Sequence, residues 1–488
     1  MGCCKTREDN YDLVIIGSGS AAFAGAIQAA ELGKRIAMIE RSTLGGTCVN
    51  VGCVPSKTLI RAAEAKHRAS HPNFNGITSK GVDLDFSTII REKDALVNSL
   101  RDAKYKNVLQ SYESIDFIEG DAAFLSQNEI KVGGRIIRGE CFLIATGASP
   151  YIPSVPGLDK VKYLTSTTAF ELNELPASLA IIGGRYIALE LAQMFQRMGS
   201  KVTILQRSNR ILPTEDPDLT AALTGYLEDE GMSILTGVKL AHIAQDDNFT
   251  ISFTVDGEDR HLEVEQLVVA TGRSPNTAGL NLEKIGVDLN DDGTIVTNEY
   301  NQTTQSHIYG AGDVIGNPAF VYTAANEGKV AVANAFVVSD SETTGGNIKQ
   351  RYDHDRMRMD YSVVPYVVFT DPQVAGVGIN ELAAQKNGIE VDVAKLALDS
   401  VPRSLAARDT RGFIKLLKKK GTDCLVGASI LAPEGSELLM EIAMAIKYKI
   451  PVKEIAAMFH PYLTLGESIK LAAQTFDKDV KKLSCCAS

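Results

Sequence analysis

Four cysteines define the chemistry open to this chain of 488 residues. Cys48 and Cys53 lie in the run GGTCVNVGCVPSK, and Cys485 and Cys486 stand side by side near the other end of the sequence. A thiol pair that can close to a disulfide takes up and returns two electrons, and thiolates are soft ligands that prefer soft cations. Adjacent cysteines such as Cys485 and Cys486 can take such an ion and pass it inward by stepwise ligand exchange. In a regular helix, residues spaced like Cys48 and Cys53 have Cα atoms roughly 8 Å apart, beyond disulfide reach, so the segment must bend, and Gly52 permits it. Pro55 suits the first turn of a following helix, which would put Cys53 at a helix N-terminus, where a thiolate is favoured. The flanks GGTC and GCVPSK are turn residues rather than core residues.

The elements that must hold the first pair are legible upstream of it. Tyr11 to Ile16 is a near-continuous apolar run, as expected of a strand covered on both faces. Gly17, Gly19 and Ala22 follow in GSGSAA, an Ala-rich helix runs to Leu32, Gly33 closes it, and Arg35 to Glu40 is the next strand. This is a βαβ unit of about 30 residues with a Gly-rich turn at the helix start, the arrangement that lays a pyrophosphate on helix N–H groups. Glu40, at the end of the second strand, can accept from a ribose hydroxyl, which argues for an adenosine without a 2′-phosphate. A second copy starts at Leu179, with Gly183, Arg185 and Ala188 in the glycine positions and Gly199 at the helix stop. Arg185 at the middle position either crowds a pyrophosphate or reaches it with charge. Past the second strand of this copy there is no acid; Gln206, Arg207 and Arg210 stand there instead. Cations suit a 2′-phosphate, so NADPH is favoured over NADH, the bland alternative being two solvated loop arginines.

Each unit is followed by a similar phrase, LIATGASP (Leu143 to Pro150) and VVATGRSP (Val268 to Pro275), and a third, HIYGAGDV, ends near Asp313. These read as exits from, and a return to, a nucleotide domain. The expected organisation is a tail over 1–10, a first nucleotide domain over 11–150, an inserted one over 151–275, the return over 276–358, and an α+β domain over 359–488. The polar stretch from Val337 to Tyr361 reads as a surface excursion, and KLLKKKG (Lys415 to Gly421) as a solvated hairpin edge.

Bulk properties narrow the partners. The formal net charge of -10 argues against nucleic acid, which needs a basic face. No apolar run is long enough to span a bilayer, and no secretory leader is evident, so the expected location is cytoplasmic. In a reducing compartment paired cysteines are redox or metal groups rather than staples. The opening MGCCKT fits three readings: a lipidation pattern on Gly2 with Cys3 and Cys4, a spare soft-metal site, or a tail without a role.

Taken together, GGTCVNVGCVPSK, the two nucleotide units and the ATG and GD phrases resemble the pyridine nucleotide-disulfide oxidoreductases over nearly the whole chain. The ending HPYLTLGESIKLAAQTFDKDVKKLSCCAS resembles the mercuric reductases of that family. The resemblance implies an α/β fold with two Rossmann-like dinucleotide-binding domains, for FAD and NADPH, plus a C-terminal α+β dimerisation domain, and a homodimer that reduces Hg(II) as its substrate. It makes Cys48 the interchange thiol and Cys53 the one beside the flavin. It makes Lys57 and Glu190 an ion pair near flavin N5, Asp313 a ligand of the ribityl chain, and Tyr186 the aromatic cover displaced by nicotinamide. Gly46, Thr47, Thr146, Gly147 and Gly272 fall at cofactor-binding positions, and Cys485 and Cys486 reach the site from the partner subunit. Where disulfide reductases such as dihydrolipoamide dehydrogenase and glutathione reductase carry a His five residues before a Glu, this chain has Tyr462 before Glu467. A phenol is a poor base at neutral pH, which disfavours a disulfide substrate. His460 lies two residues early. The alternatives are a disulfide reductase of the same family, and a mercury-binding protein in which Arg185 blocks nucleotide turnover.

Overall fold

The computed structural model describes residues 9–316, 318–337 and 356–479. Cys3, Cys4, Cys485, Cys486 and most of the polar stretch after Val337 lie outside the described residues. The chain forms two compact units, Met1–Pro55 with Glu92–Tyr151 and Arg273–Asp360, and Ser56–Arg91 with Ile152–Gly272 and Tyr361–Ser488.

The first unit is built on strand Asn10–Ile16, whose last four residues are fully buried. It pairs in parallel with Ile36–Glu40 on one side and Arg135–Ile144 on the other. Ile115–Glu119 extends the first side, while Glu129–Val132 and Ala122–Ser126 continue the second antiparallel, with Ile308–Gly310 also alongside Arg135–Ile144. Helix α1 (Ser20–Glu31) and the helix Val321–Ala335 cover one face, burying Leu13, Ile15, Ala26, Met38, Leu143 and Val332. The opposite face is sealed by Val14, Ile16, Phe124, Ile130 and Phe142. A short helix α2 (Gly46–Asn50) and the start of α3 (Cys53–Ser70) follow. Helix α4 (Phe86–Arg101) then leads into Asn107–Gln110.

The second unit repeats the plan. Ser178–Ile182 lies centrally in a parallel sheet ordered Ser233–Leu235, Lys201–Leu205, Ser178–Ile182, Gln266–Val269, Leu164–Thr165, and α5 (Tyr186–Met198) packs on it. The repetition extends to the turn itself. Gly17 has φ +115° and a Cβ there would lie 2.3 Å from Ala145 O; Gly183 has φ +123° and a Cβ would lie 2.3 Å from Ala270 O. Only glycine fits at either position, because both the backbone region and the strand carbonyl exclude a side chain.

The unit also contains an antiparallel sheet ordered Tyr366–Val368, Gln373–Gly378, Leu425–Ala432, Phe413–Lys419, Val391–Ala397. Helices Leu439–Lys447, Val452–Ala457 and Glu467–Gln474 contribute to its core. Here the structure corrects the sequence reading of the lysine run. Strand Phe413–Lys419 is flanked on both sides, and Lys415 is 1% exposed. Its ammonium meets Asp216 Oδ2 at 3.1 Å, Asp218 Oδ1 at 2.8 Å and Glu381. A run of charge reads as solvated only while its carboxylate partners, Asp216 and Asp218 about 200 positions earlier and Glu381 on another element, are out of view. Only the end of the run, from Lys419 to Gly421, is exposed.

Candidate active site

The first nucleotide turn presents an open helix start. Gly19 caps α1 in extended conformation with no side-chain hydrogen bond, so the first-turn N–H groups are available to an anion. Behind the turn, Ser18 donates to Glu40 Oε2 at 2.6 Å, and the Ser42 amide and hydroxyl donate to Oε1 at 2.9 and 3.0 Å. Ser18 Oγ also accepts from the Gly45 amide at 3.1 Å. One buried serine therefore ties the nucleotide turn, the Glu40 carboxylate and the entry to the cysteine segment. Sequence reasoning passed over Ser18, although a hydroxyl next to the conformationally required Gly17 was the available signal.

The cysteine segment bends where Gly52 sits. α2 carries Cys48, Val51 closes it, and α3 opens at Cys53 with Pro55 in its first turn. Cys53 is exposed and Cys48 half-buried. Placement at the positive end of an 18-residue helix favours the Cys53 thiolate. Cys141 is the contrast: burial pushes its thiol up to about 11, which leaves it inert.

One turn along α3, Lys57 Nζ donates to Glu190 Oε2 at 2.7 Å. Glu190 Oε1 accepts from the Phe369 amide at 2.9 Å, and the Lys57 ammonium lies 4.6 Å from the centre of the Phe369 ring. The pair expected from the sequence is thus brought together, with Phe369 as a support that sequence alone did not single out.

On the first unit, the ATG turn and Asp313 converge on a residue also missed. Arg273 pairs with Asp313 at 3.7 Å, donates to Ala148 O, and lies 3.5 Å from Thr47 Oγ1. Burial pushes the Asp313 carboxyl up, with the Arg273 cation opposing the shift. Thr146 Oγ1 donates to Asn276 O at 2.8 Å, and the Asn276 amide donates to Gly147 O at 2.9 Å. Arg273 lay inside the phrase VVATGRSP, but nothing local in that phrase pointed it at Thr47 and Asp313.

At the second nucleotide turn, Arg185 caps α5 in extended conformation, exposed, and Tyr186 follows, 37% exposed. Burial pushes the Tyr186 phenol up, and the Glu215 carboxylate adds to the shift. Of the two loop cations, Arg207 is exposed, whereas Arg210 Nη2 folds back onto Pro213 O at 2.7 Å. Gly272, at φ +131°, lies three residues past the strand Gln266–Val269.

Near the C-terminus, Tyr462 is half-exposed, and Glu467 Oε2 accepts from the Leu463 amide at 3.2 Å. His460 Nε2 meets Glu441 Oε1 at 2.9 Å. His460 and Glu467 are each engaged elsewhere, so the nearby histidine does not replace the one absent at position 462.

Residues 11–328 match the family described as pyridine nucleotide-disulphide oxidoreductase, and residues 364–473 match its dimerisation domain. The chain belongs to this family. The mercuric reductase of Staphylococcus aureus is 43% identical over 99% of this chain and 85% of its own length. That of Streptomyces lividans is 41% identical over 98% of each. The solved HOCl-induced flavoprotein disulfide reductase of Escherichia coli superposes with a TM-score of 0.81 at 31% identity, covering 96% of this chain and 99% of that one. Family membership implies a flavin and a pyridine nucleotide. The uncapped start of α1, the Gly17 cradle and the half-buried Asp313 carboxyl fit the first, and the Gly183 cradle fits the second. Among the described residues no helix is long and apolar enough to cross a membrane.

Proposed function

We propose that this chain reduces Hg(II) to elemental mercury with electrons from NADPH through FAD, as a cytoplasmic homodimer. The balance is NADPH plus Hg(II) giving NADP+, a proton and Hg(0). The relatives named mercuric reductase, aligned over nearly the whole chain, support the reaction class. The single observation that carries the substrate is the missing acid–base dyad: Tyr462 stands in the histidine position, Glu467 is turned to the Leu463 amide, and His460 is turned to Glu441. Protonating the leaving thiolate of a disulfide needs an acid of near-neutral pKa, and transferring a thiolate-bound metal does not.

Bound FAD would supply the conversion of a hydride into an electron pair. The residues here would do the rest. Gly17, Gly19 and Ala22 bring the backbone to its pyrophosphate, Glu40 addresses the adenosine ribose, and Gly46, Thr47, Thr146, Gly147 and Asp313 line the remainder. Lys57, anchored by Glu190, places a cation where charge develops. Gly183, Gly272 and the exposed Arg185 and Arg207 receive NADPH, and Tyr186 covers the site until the nicotinamide arrives. Cys48 and Cys53, as thiolates, hold the ion; Cys485 and Cys486 of the partner subunit deliver it by ligand exchange. Arg185 is exposed rather than packed into its turn, which supports turnover over mere binding.

The test is NADPH oxidation at 340 nm by the flavin-loaded protein with Hg(II) in excess thiol, against lipoamide and glutathione disulfide, with release of volatile mercury measured in parallel. Hg(II)-dependent oxidation well above either disulfide is expected, and its loss in Cys48→Ala. Equal or faster turnover of a disulfide would overturn the substrate assignment.

A further inference from the structure

The helix beginning at Phe86 is not uniform. α4 passes at Arg101 into a π turn over Asp102–Lys106 and resumes as α-helix over Asn107–Gln110. Both flanking residues keep right-handed helical backbone, so one residue is inserted into a continuous helix. The stretch RDAKYKNVLQ has no glycine or proline to account for it, and such insertions are rare and gather at functional sites.

The residues bracketing the insertion grip α2 at both ends. Arg101 Nε donates to Asn50 Oδ1 at 2.7 Å, and Asn50, the last residue of α2, returns its Nδ2 to Leu44 O and Gly46 O, both at 2.9 Å. Within the π turn, the Tyr105 ring covers the other end. Its Cγ and Cδ2 lie 3.3 Å from where a Cβ on Gly45 would be, and Gly45 is the left-handed N-cap of α2. The ring stands edge-on to Phe23 at 4.8 Å, and its hydroxyl shares a hydrogen bond with Ser20 in the nucleotide turn. Cys48 is the middle residue of the five between these grips.

We propose that the bulged helix is a clamp on α2, and that Arg101 and Tyr105 are positioning residues which fix Cys48 relative to Cys53 and so set the stability of the disulfide between them. The proposal rests on the reading of these cysteines as a redox pair. A disulfide needs Cα atoms within about 4.4–6.8 Å and a narrow dihedral range. A helix of five residues has no rigidity of its own, since its few internal bonds scarcely cover nucleation. Its placement must come from outside, and the two grips supply it. Loosening either lowers the effective concentration of one thiol at the other and shifts the couple toward dithiol.

The experiment equilibrates holoenzyme in glutathione buffers, quenches with an alkylating agent, and reads the disulfide fraction on the peptide holding both cysteines by mass spectrometry. The reaction is the Cys48–Cys53 disulfide plus two glutathione thiols giving two protein thiols and glutathione disulfide. Arg101→Met and Tyr105→Leu are each expected to move the midpoint toward dithiol about tenfold, about 30 mV for this two-electron couple, while Tyr105→Phe stays within twofold. Arg101→Lys keeps the charge and loses the directed bond to Asn50, and is the arm that stands should the truncations not fold; a shift of about threefold is expected. Midpoints within twofold of the unsubstituted protein in Arg101→Met, Tyr105→Leu and Arg101→Lys would make these contacts merely structural and overturn the clamp alone. Absence of any reversible disulfide in the unsubstituted protein would overturn the redox reading and the clamp together.

Discussion

Lys415→Met tests the energetics of the second unit where the sequence was most misleading. The ammonium faces three carboxylates close enough together to ligate a metal ion, and it fills the place such an ion would take. These partners are not equivalent. Asp218 keeps a second cation, Lys395 Nζ at 2.6 Å, and the Glu381 side chain is 45% exposed, so water can serve it. The Asp216 side chain is 1% exposed and would retain only the Leu382 amide at 3.1 Å and the Glu381 amide at 3.5 Å. The cost is therefore that of one uncompensated buried charge, about 3–5 kcal/mol. At a few degrees per kcal/mol for a unit of this size, the thermal midpoint falls by about 10 °C. Calorimetry of the second-unit transition checks this, and Lys415→Met with Asp216→Asn should recover more than half of the loss, because the stranded charge goes with the carboxylate. The carboxylates raise the Lys415 pKa, so its contribution is fully present below the unfolded lysine value near 10.4 and is lost only as pH rises through the higher folded value. The penalty should be flat from about pH 6 to pH 9. A midpoint within 2 °C of the parent, or no recovery in the double variant, would refute the assignment of the cost to Asp216.

Arg207→Met should raise the KM for NADPH about 10- to 100-fold, the loss of one charge-assisted contact, and leave that for NADH unchanged; steady-state kinetics with both nucleotides decides it. Arg210→Met should do far less to the NADPH preference, because that guanidinium is bound to Pro213 O. Tyr462→His should raise glutathione disulfide turnover less than tenfold, since Glu467 remains bonded to the Leu463 amide; a hundredfold gain would show that the dyad assembles without further change. His67 is held near 4, chiefly by burial and then by the Arg197 cation. A histidine whose folded pKa is depressed stabilises above its unfolded value near 6.5, and that stability is lost as pH falls toward 4. His67→Gln should thus flatten the dependence of the melting temperature on pH between 6.5 and 4; an unchanged slope would refute it.

The parts of this molecule legible in its sequence are those whose cause is local. Gly17 and Gly183 announce their turns because a strand, a glycine and a helix follow one another within a few residues, and the apolar run before each is the buried strand of its sheet. Cys48, Gly52 and Cys53 announce a bend because helical geometry forbids their bridging otherwise. Parts whose cause is distant were not legible. Lys415 looked solvated because Asp216 and Asp218 lie about 200 positions earlier. Arg273 and Phe369 were passed over because Thr47 and Glu190 are far away in sequence, and Ser18 because its two partners, Glu40 and Gly45, lie 22 and 27 positions on.

The same distinction explains why Tyr462 carries more weight than either cysteine motif for the substrate. As the redox pair proposed above, Cys48 and Cys53 would store two electrons whatever receives them, so the pair does not discriminate among the substrates of this family. Discrimination must come from the group that would manage a proton on the leaving sulfur. In this chain the two candidates for that task have other partners, His460 with Glu441 at 2.9 Å and Glu467 Oε2 with the Leu463 amide at 3.2 Å. A histidine placed at 462 would find one oxygen of its carboxylate partner already accepting from the Leu463 amide. A thiolate-bound cation needs no such proton, because its bonds exchange one sulfur for another at constant charge, and the reduced metal leaves without one. On the reading proposed above, a site without that proton donor suits a soft ion better than a disulfide.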